Sequence, residues 1–132
     1  MYRFILVVAV LMSGGAMAQD SLYNCKNPQY QQEMNYCAHQ GFLVADEKLN
    51  AAYGLAVAST KATDSYQEPG QRGAETALRD AQRAWIIYRD NACIAEGFAF
   101  HGGSMEPFII STCKLRLTRE RTEGLRMLAE MN

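Results

Sequence analysis

The chain has 132 residues, with 13 basic and 14 acidic side chains, a formal net charge of −1 and four cysteines. A chain of this length can build one ordinary hydrophobic core and is too short for two comfortable ones. The near-neutral charge gives no electrostatic reason to expect nucleic acid or an anionic membrane surface as a partner.

The first 18 residues have the pattern of a secretory signal peptide. Arg3 is followed by an apolar run over residues 4–12 and then by small residues that end in Ala16-Met17-Ala18. The run is too short to remain as a membrane anchor, and the final Ala-x-Ala marks a cleavage site. We therefore expect a periplasmic or secreted protein, residues 19–132, that forms a single helical domain without a membrane anchor.

Four cysteines in an exported chain predict two disulfides. Cys25, Cys37, Cys93 and Cys113 lack the paired C-x-x-C spacing of a zinc knuckle, so we expect no metal site and no cofactor. Of the three possible pairings we expect Cys25–Cys37 and Cys93–Cys113, which close loops of 13 and 21 residues. On the chain-entropy model, each of these bonds stabilises the fold by about 3 kcal/mol.

The first long segment with helical periodicity is predicted to begin at Asn27-Pro28, where Asn serves as the N-cap and Pro occupies the first turn. Its apolar residues are spaced by three and four, as in an amphipathic helix. They are Met34, Ala38, Phe42, Ala45, Leu49, Ala52, Tyr53 and Ala56. A polar and mobile connector is predicted to follow from Ser59 to Gly73.

Two further helices are predicted after this connector. The second ends near Gly97 as its cap, and its stripe comprises Ala74, Leu78, Ala81, Trp85, Tyr88 and Ala92. The third begins with Ser104 as its cap and Pro107 in its first turn, and its stripe comprises Ile110, Cys113, Leu117, Leu125 and Leu128. Short connections between amphipathic helices indicate an all-α fold, a small three-helix antiparallel hairpin or bundle with two disulfides.

Charged residues on the apolar faces predict an internal cluster. Arg121 lies at the centre of the third stripe, where a charge needs a partner. Asp46 and Arg89 border the other two stripes at a similar height along the bundle. We expect Asp46 to accept a hydrogen bond from Arg121 or Arg89, with Trp85 and Tyr88 packed around the pair. A carboxylate neutralised by a guanidinium is a poor general base, so this pattern favours a structural clamp over a catalytic site.

Motifs of known catalytic sites are missing from the sequence. No G-x-S-x-G, H-E-x-x-H, phosphate-binding P-loop or dinucleotide fingerprint occurs. His39 and His101 have no nearby Cys or carboxylate at a spacing that indicates a catalytic triad. We therefore expect a binding protein rather than an enzyme.

Four blocks of sequence, which together extend from Cys25 to Leu128, match the pattern of a known family. They are Cys25-x11-Cys37, Asp46-x-x-Leu49-Asn50-x-x-Tyr53, Gln82-x-x-Trp85-Ile86-x-Tyr88-Arg89-Asp90-x-x-Cys93 and Cys113-x3-Leu117-Thr118-x-x-Arg121-x3-Leu125. With these blocks the chain resembles the lysozyme inhibitor LprI-like domain of exported bacterial proteins. The resemblance implies a small disulfide-bonded helical domain, an exported location and, for some members, inhibition of lysozyme.

Three hypotheses of function follow from the resemblance. The first is a protein-binding domain that blocks a lysozyme or another peptidoglycan hydrolase. The second is a periplasmic immunity protein that neutralises a toxin delivered by a competing cell. The third is a structural or stress protein of the cell envelope that has no enzyme target.

For the inhibitor hypothesis, the loop over residues 97–106 is the expected contact. Its candidate partner-binding residues are Phe98, Phe100, His101, Gly102, Gly103 and Ser104. The cleft of lysozyme contains two carboxyl groups, and His and Ser side chains can donate hydrogen bonds to them. The alternative interpretation is a plain helix connector, which the sequence alone favours because nothing in it shows that the tip is exposed.

Overall fold

The computed structural model describes residues 23–131, which form three long helices. They are α1 (Gln31–Ser65), α2 (Ala74–Gly97) and α3 (Glu106–Glu130), with short 3₁₀ turns at Pro69–Gln71 and Phe98–Phe100 in the connections. The predicted all-α fold of three helices is confirmed. The predicted signal peptide, residues 1–18, lies outside the described residues.

The first and last helices are parallel neighbours. The side chain of Asn35, near the start of α1, donates from Nδ2 to the carbonyl of Ser104, just before α3, at 2.9 Å. At the other end of the bundle, Leu55 of α1 and Arg126 of α3 line the same groove. The α1–α3 contact is the most extensive in the structure, and α2 runs antiparallel to both helices.

The core lies where the three helices face one another. The cluster of buried apolar residues comprises Leu49, Ala52, Ala56, Leu78 and Leu125, with Tyr53, Val57, Trp85 and Leu128 packed against it. The predicted face of α1 is largely correct, since its buried residues are Ala38, Phe42, Ala45, Leu49, Ala52, Ala56 and Thr60. Every buried side-chain nitrogen and oxygen between residues 23 and 131 has a hydrogen-bond partner.

The buried faces of α2 and α3 are rotated from the predicted stripes. On α2, Gln82 and Arg89 are buried, whereas Tyr88 is 60% exposed. On α3, Thr118 and Thr122 are buried in the contact between helices. The hydroxyl of Thr122 donates to the Thr118 carbonyl at 2.7 Å. A threonine that bonds back to its own helix can be buried without an unsatisfied hydroxyl, which is why polar residues can occupy this face.

The ends of α1 differ from the prediction. The helix begins at Gln31 rather than at Asn27-Pro28, and it continues through Ser65, so the first part of the predicted connector is helical. The backbone N–H of Asn27 donates to the Asn24 carbonyl in a turn. The carboxylate of Glu33 accepts the N–H of Gln29 at 2.7 Å. These two bonds hold the chain in a turn ahead of the helix.

Asp64, in the last turn of α1, caps the start of α2. Its carboxylate accepts the backbone N–H groups of Gly73, Ala74 and Glu75 at 2.9, 2.9 and 3.1 Å. These bonds, above all the one from Gly73, lower the pKa of Asp64. The start of α2 needs this remote cap because Gly73, at the N-cap position, has no side chain.

The glycine at the end of α2 has a different role from the predicted one. Gly97 ends the helix, as expected, but its φ is −66°, which any residue adopts. A Cβ at Gly97 would lie 2.6 Å from Cγ1 of Ile110, so the glycine lets α3 pass close to the end of α2. Ser104 does not cap α3, because Met105 occupies the N-cap position, while Pro107 lies in the first turn as predicted.

Both predicted disulfides are present. Cys25–Cys37 ties the N-terminal segment to α1, and Cys93–Cys113 joins α2 to α3, each with Cα atoms 5.4 Å apart. They lie at the end of the bundle where α2 connects to α3.

None of the helices formed by residues 23–131 combines the length and apolar character that crossing a bilayer requires.

Substituting alanine for glycine separates the two kinds of helical glycine in this fold. We expect Gly97→Ala to lower the free energy of unfolding by about 1–3 kcal/mol, because the new methyl group overlaps Ile110. Gly54→Ala is the matched control, since, apart from the adjoining backbone of its own helix, nothing lies within 4 Å of its added Cβ. It should raise stability by up to about 1 kcal/mol through helix propensity. Urea unfolding measures both, and stabilisation by Gly97→Ala would contradict the close approach.

Candidate functional site

The connection between α2 and α3 is exposed to solvent. We call residues 98–105 the α2–α3 loop. Its aromatic side chains, Phe98 and Phe100, and the following residues from His101 to Ser104 are all exposed. A shallow depression of about 470 Å³ lies here, lined by residues 98–101 and 103–105. The sequence did not show whether this tip reaches solvent, and the structure shows that it does.

The imidazole of His101 is held from two directions. Its ring stacks on Phe98, with centroids 4.6 Å apart and an interplanar angle of 4°. Its Nδ1 lies 3.0 Å from Oε1 of Glu106, and the second carboxylate oxygen accepts the N–H of Gly102 at 2.8 Å. The bond with His101, and then that with Gly102, lowers the pKa of Glu106. Because Nδ1 is engaged, Nε2 is the ring nitrogen available to a partner.

Further hydrogen bonds fix the loop against α1 and within itself. Asn35 donates from Nδ2 to the Ser104 carbonyl, and Gln31 donates to Oδ1 of Asn35 at 2.8 Å, which orients that amide. The N–H of Gly103 donates to the Phe100 carbonyl at 2.9 Å. Gly102 has a φ of 76°, a conformation that favours glycine. The loop is therefore ordered before any partner arrives.

The predicted charge cluster centres on Arg89. This buried side chain places Nη1 2.9 Å from Oδ1 of Asp46 on α1 and Nε 2.9 Å from Oδ1 of Asp90. Its guanidinium also lies over the rings of Phe42 and Trp85, 5.0 and 5.2 Å from their centroids. Arg89 thus combines ion pairing with cation–π contact. A planar, weakly hydrated guanidinium fits such a site better than the ammonium group of a lysine.

The same cluster reaches the third helix. Nη1 of Arg89 lies 3.5 Å from the hydroxyl of Thr118, and Nζ of Lys114 lies 3.3 Å from Asp90. Burial raises the pKa of Asp90, but the hydrogen bonds from Arg89 and Lys114 outweigh burial and leave that pKa below its ordinary value. A carboxylate held between two cations, as Asp90 is, is a poor base. The geometry supports the interpretation of a clamp between the three helices.

Two predicted members of the cluster lie elsewhere. Arg121 does not reach Asp46, because its Nε donates to Oε1 of Gln82 at 2.9 Å, and burial lowers the pKa of this arginine. Tyr88 points outward and is mostly exposed. Both corrections have one physical cause, the rotation of α2 and α3 relative to the predicted stripes. Arg89 rather than Tyr88 therefore faces the other helices.

Sequence reasoning missed the roles of three residues of the site. Gln82 lies four residues after Leu78, a helical spacing that could have placed it on the buried face. Glu106 directly follows the loop, and a carboxylate in the first turn of a helix is a known signal for holding backbone N–H groups. The contact of Asn35 with the loop has no local signal.

Within residues 23–131, no group of three or more His, Cys, Asp or Glu side chains is placed to hold a metal ion.

Comparison with known proteins identifies the family. A family model described as lysozyme inhibitor LprI matches residues 24–125. The chain belongs to the LprI family. This LprI-family protein is also 44% identical over 118 residues to R02472, an uncharacterized protein of Rhizobium meliloti (strain 1021). That alignment covers 87% of this chain and 85% of the relative. The resemblance seen in the four sequence blocks is confirmed.

A solved structure has a similar fold. It is the crystal structure, at 1.85 Å resolution, of a DUF1311 family protein from Pseudomonas putida KT2440. The TM-score is 0.65 at 24% sequence identity, and the match covers 83% of the LprI-family chain and 100% of the other. At this identity the similarity extends to the fold alone.

The contacts of Arg89 and Arg121 predict that Arg89 contributes more to the stability of the fold. Arg89→Ala removes the cation between Asp46 and Asp90, and we expect it to lower the free energy of unfolding by about 3 kcal/mol. Arg121→Ala removes one hydrogen bond to Gln82, and its expected cost is about 1–2 kcal/mol. Urea unfolding of the two variants with their disulfides intact tests the order. A larger loss of unfolding free energy in Arg121→Ala than in Arg89→Ala would contradict Arg89 as the centre of the clamp.

Protonation of Glu106 should release the α2–α3 loop. Because the pKa of Glu106 is lower in the folded protein than in the unfolded chain, its bonds are fully present above about pH 4.3. They are lost as the pH falls through the lowered folded-state value. NMR titration of the Gly102 amide should show a midpoint below about pH 4.3, which Glu106→Gln abolishes. The Gly103 amide, which is bonded to a carbonyl, is the internal control. A midpoint at or above the ordinary pKa of a glutamate would show that Glu106 does not hold the loop.

Proposed function

We propose that this LprI-family protein binds and inhibits a lysozyme or a related peptidoglycan hydrolase, and that the α2–α3 loop makes the central contact. The observation that carries the proposal is the exposed loop, in which Phe98 and Phe100 accompany an imidazole that is already held in place. The description of the family as lysozyme inhibitors supports the choice of target.

The chemistry of the loop suits a glycosidase cleft. Such a cleft contains two carboxyl groups, one that acts as general acid and one that acts as nucleophile or base. His101 through Nε2 and Ser104 through its hydroxyl can form hydrogen bonds with these carboxyl groups. Phe98 and Phe100 can bury apolar area at the same time, as aromatic anchors do in many interfaces. A loop seated in this way excludes the polysaccharide substrate.

The order already present in the loop favours binding. An interface loses affinity when it must immobilise flexible segments on association. Here the Cys93–Cys113 disulfide fixes the two helices at the base of the loop, and Glu106 and Asn35 hold its two sides. In this proposal the protein is a binding module with no catalytic step of its own, and its partner is the hydrolase.

We also propose that the protein acts in the periplasm or outside the cell. The pattern of residues 1–18 and the family support export. The two disulfides support it as well, because such bonds persist in oxidising compartments and are rare in the cytosol.

A double substitution in the loop tests the proposed contact. His101→Ala combined with Phe100→Ser removes the imidazole and one aromatic anchor. We expect inhibition, measured as the loss of lysis of a peptidoglycan suspension by lysozymes of several classes, to weaken by about tenfold or more. His101→Ala alone is a milder variant that leaves Phe100 in place.

Tyr66→Ser is the matched control, since this exposed aromatic residue lies in the other helix connection. It should inhibit as the wild type does. Circular dichroism and thiol counting establish that each variant is folded with intact disulfides. Unchanged inhibition by the double variant would remove the loop from the mechanism, and no inhibition by wild type in any lysozyme class would refute the inhibitor function.

A further inference from the structure

A row of exposed apolar side chains lies on the outer face of α2 and continues to the loop. Ile87 is 64% exposed, Ile94 is 45% exposed and Phe98 is 58% exposed. Successive spacings of seven and four residues place them within about 40° of one another around the helix axis. Asn91 lies in the same row. We call Ile87, Asn91, Ile94 and Phe98 the α2 strip.

The α2 strip points away from the core. Ile87 precedes the buried Arg89 by two residues, which places the two side chains about 200° apart around the helix. Leu78 and Cys93 are buried on the same side as Arg89. Apart from the ring of His101, which stacks on Phe98, no described element of the chain covers the strip, although α1 and α3 cover the opposite face of α2. Three large apolar side chains in one row are more than the scattered exposure of a typical surface.

The strip can be covered without desolvating an unpaired charge. Asn91, between the two isoleucines, is neutral and donates from Nδ2 to the Ile87 carbonyl at 3.1 Å. The nearby charges already have partners, since Asp90 pairs with Arg89, and Arg83, one turn before Ile87, lies 3.7 Å from Asp80. An apolar surface of a partner therefore fits this face at low electrostatic cost.

The strip is continuous with the α2–α3 loop because Phe98 belongs to both. A stable protein interface buries about 800 Å² on each partner and involves about 20–30 residues a side. The loop, residues 98–105, is too short to supply that area. The strip extends from it by about 16 Å along α2 and adds apolar area on the same continuous surface.

We infer that the α2 strip is the second contact for the hydrolase that the loop binds, an inference that rests on the proposed function. The partner it fits is an enzyme with an uncharged apolar patch beside its carboxylate-containing cleft. His101 and Ser104 then bind the cleft, while Ile87 and Ile94 pack on the patch. The loop sets the position of the inhibitor and the strip contributes apolar burial.

Replacing both isoleucines tests the inference. Ile87→Ser with Ile94→Ser changes only exposed side chains, so the fold and the disulfides remain. We expect the affinity for the inhibited lysozyme, measured by surface plasmon resonance, to fall by about tenfold or more. Val44→Ser with Leu55→Ser is the matched control, because these exposed apolar residues lie on α1, outside the strip. Its affinity should equal that of the wild type.

The outcomes separate this inference from the proposed function. Wild-type affinity in the Ile87 and Ile94 variant, together with a loss in the loop variant, overturns the strip and leaves the inhibitor function standing. Absence of binding and inhibition by wild-type protein overturns both. Light scattering provides a third result: a wild-type dimer that the isoleucine substitutions dissociate, with inhibition unchanged, would assign the strip to a second copy of this chain and overturn the inference.

Discussion

The packing of the three helices depends on the burial of one guanidinium. Arg89 extends from α2 over the rings of Phe42 and Trp85, and it bonds to Asp46 on α1. A buried cation is tolerated only where carboxylates and other acceptors surround it, so few orientations of α2 satisfy this side chain. With Arg89 directed inward, the 100° rotation between successive helical residues turns Tyr88 away from the core, where it is mostly exposed.

The same orientation sets how α2 meets α3. Arg89, Cys93 and Gly97 are spaced by four residues, so they form one row along α2. Each makes a different contact with α3: Arg89 with the Thr118 hydroxyl, Cys93 through its disulfide to Cys113, and Gly97 by close approach to Ile110. Residue numbers along this row rise on α2 and fall on α3, as expected for an antiparallel pair of helices. This row ends where the α2–α3 loop begins, so the clamp in the core determines where the loop stands.

The sequence predicts those parts of the fold that depend on local pattern. The face of α1 follows from apolar spacing. The Cys93–Cys113 disulfide follows from the positions of cysteines on neighbouring helices, and Cys25–Cys37 from the short stretch of chain between its two cysteines. The Asp46–Arg89 contact was predicted as one of two alternatives. The rotation of α2 and α3 was not predictable in this way, because Gln82, Arg89, Thr118 and Thr122 count as polar although their partners allow burial. The Asp64 cap joins residues of two helices, so no local pattern reveals it.

For the candidate site, the sequence supplied the chemistry and missed the geometry. Aromatic residues beside an imidazole and two glycines marked the loop. Its exposure, the stacking of His101 on Phe98 and the hydrogen bonds that Glu106 accepts depend on how the helices end, which apolar periodicity does not determine. The α2 strip was hidden for a related reason, since isoleucines within a helix are ordinarily assigned to a core.

The placement of the disulfides divides the chain into two covalent halves. Cys25–Cys37 lies entirely in the α1 half, and Cys93–Cys113 lies entirely in the α2–α3 half. The two halves are joined covalently only through the connector of residues 66–73, although α1 and α3 share the largest helix contact. A single peptide-bond cleavage in that connector therefore yields two fragments, each internally crosslinked, that stay together only through non-covalent contacts such as the packing of α1 on α3 and the Asp46–Arg89 ion pair. The fragment that contains α2 and α3 then carries the whole α2–α3 loop.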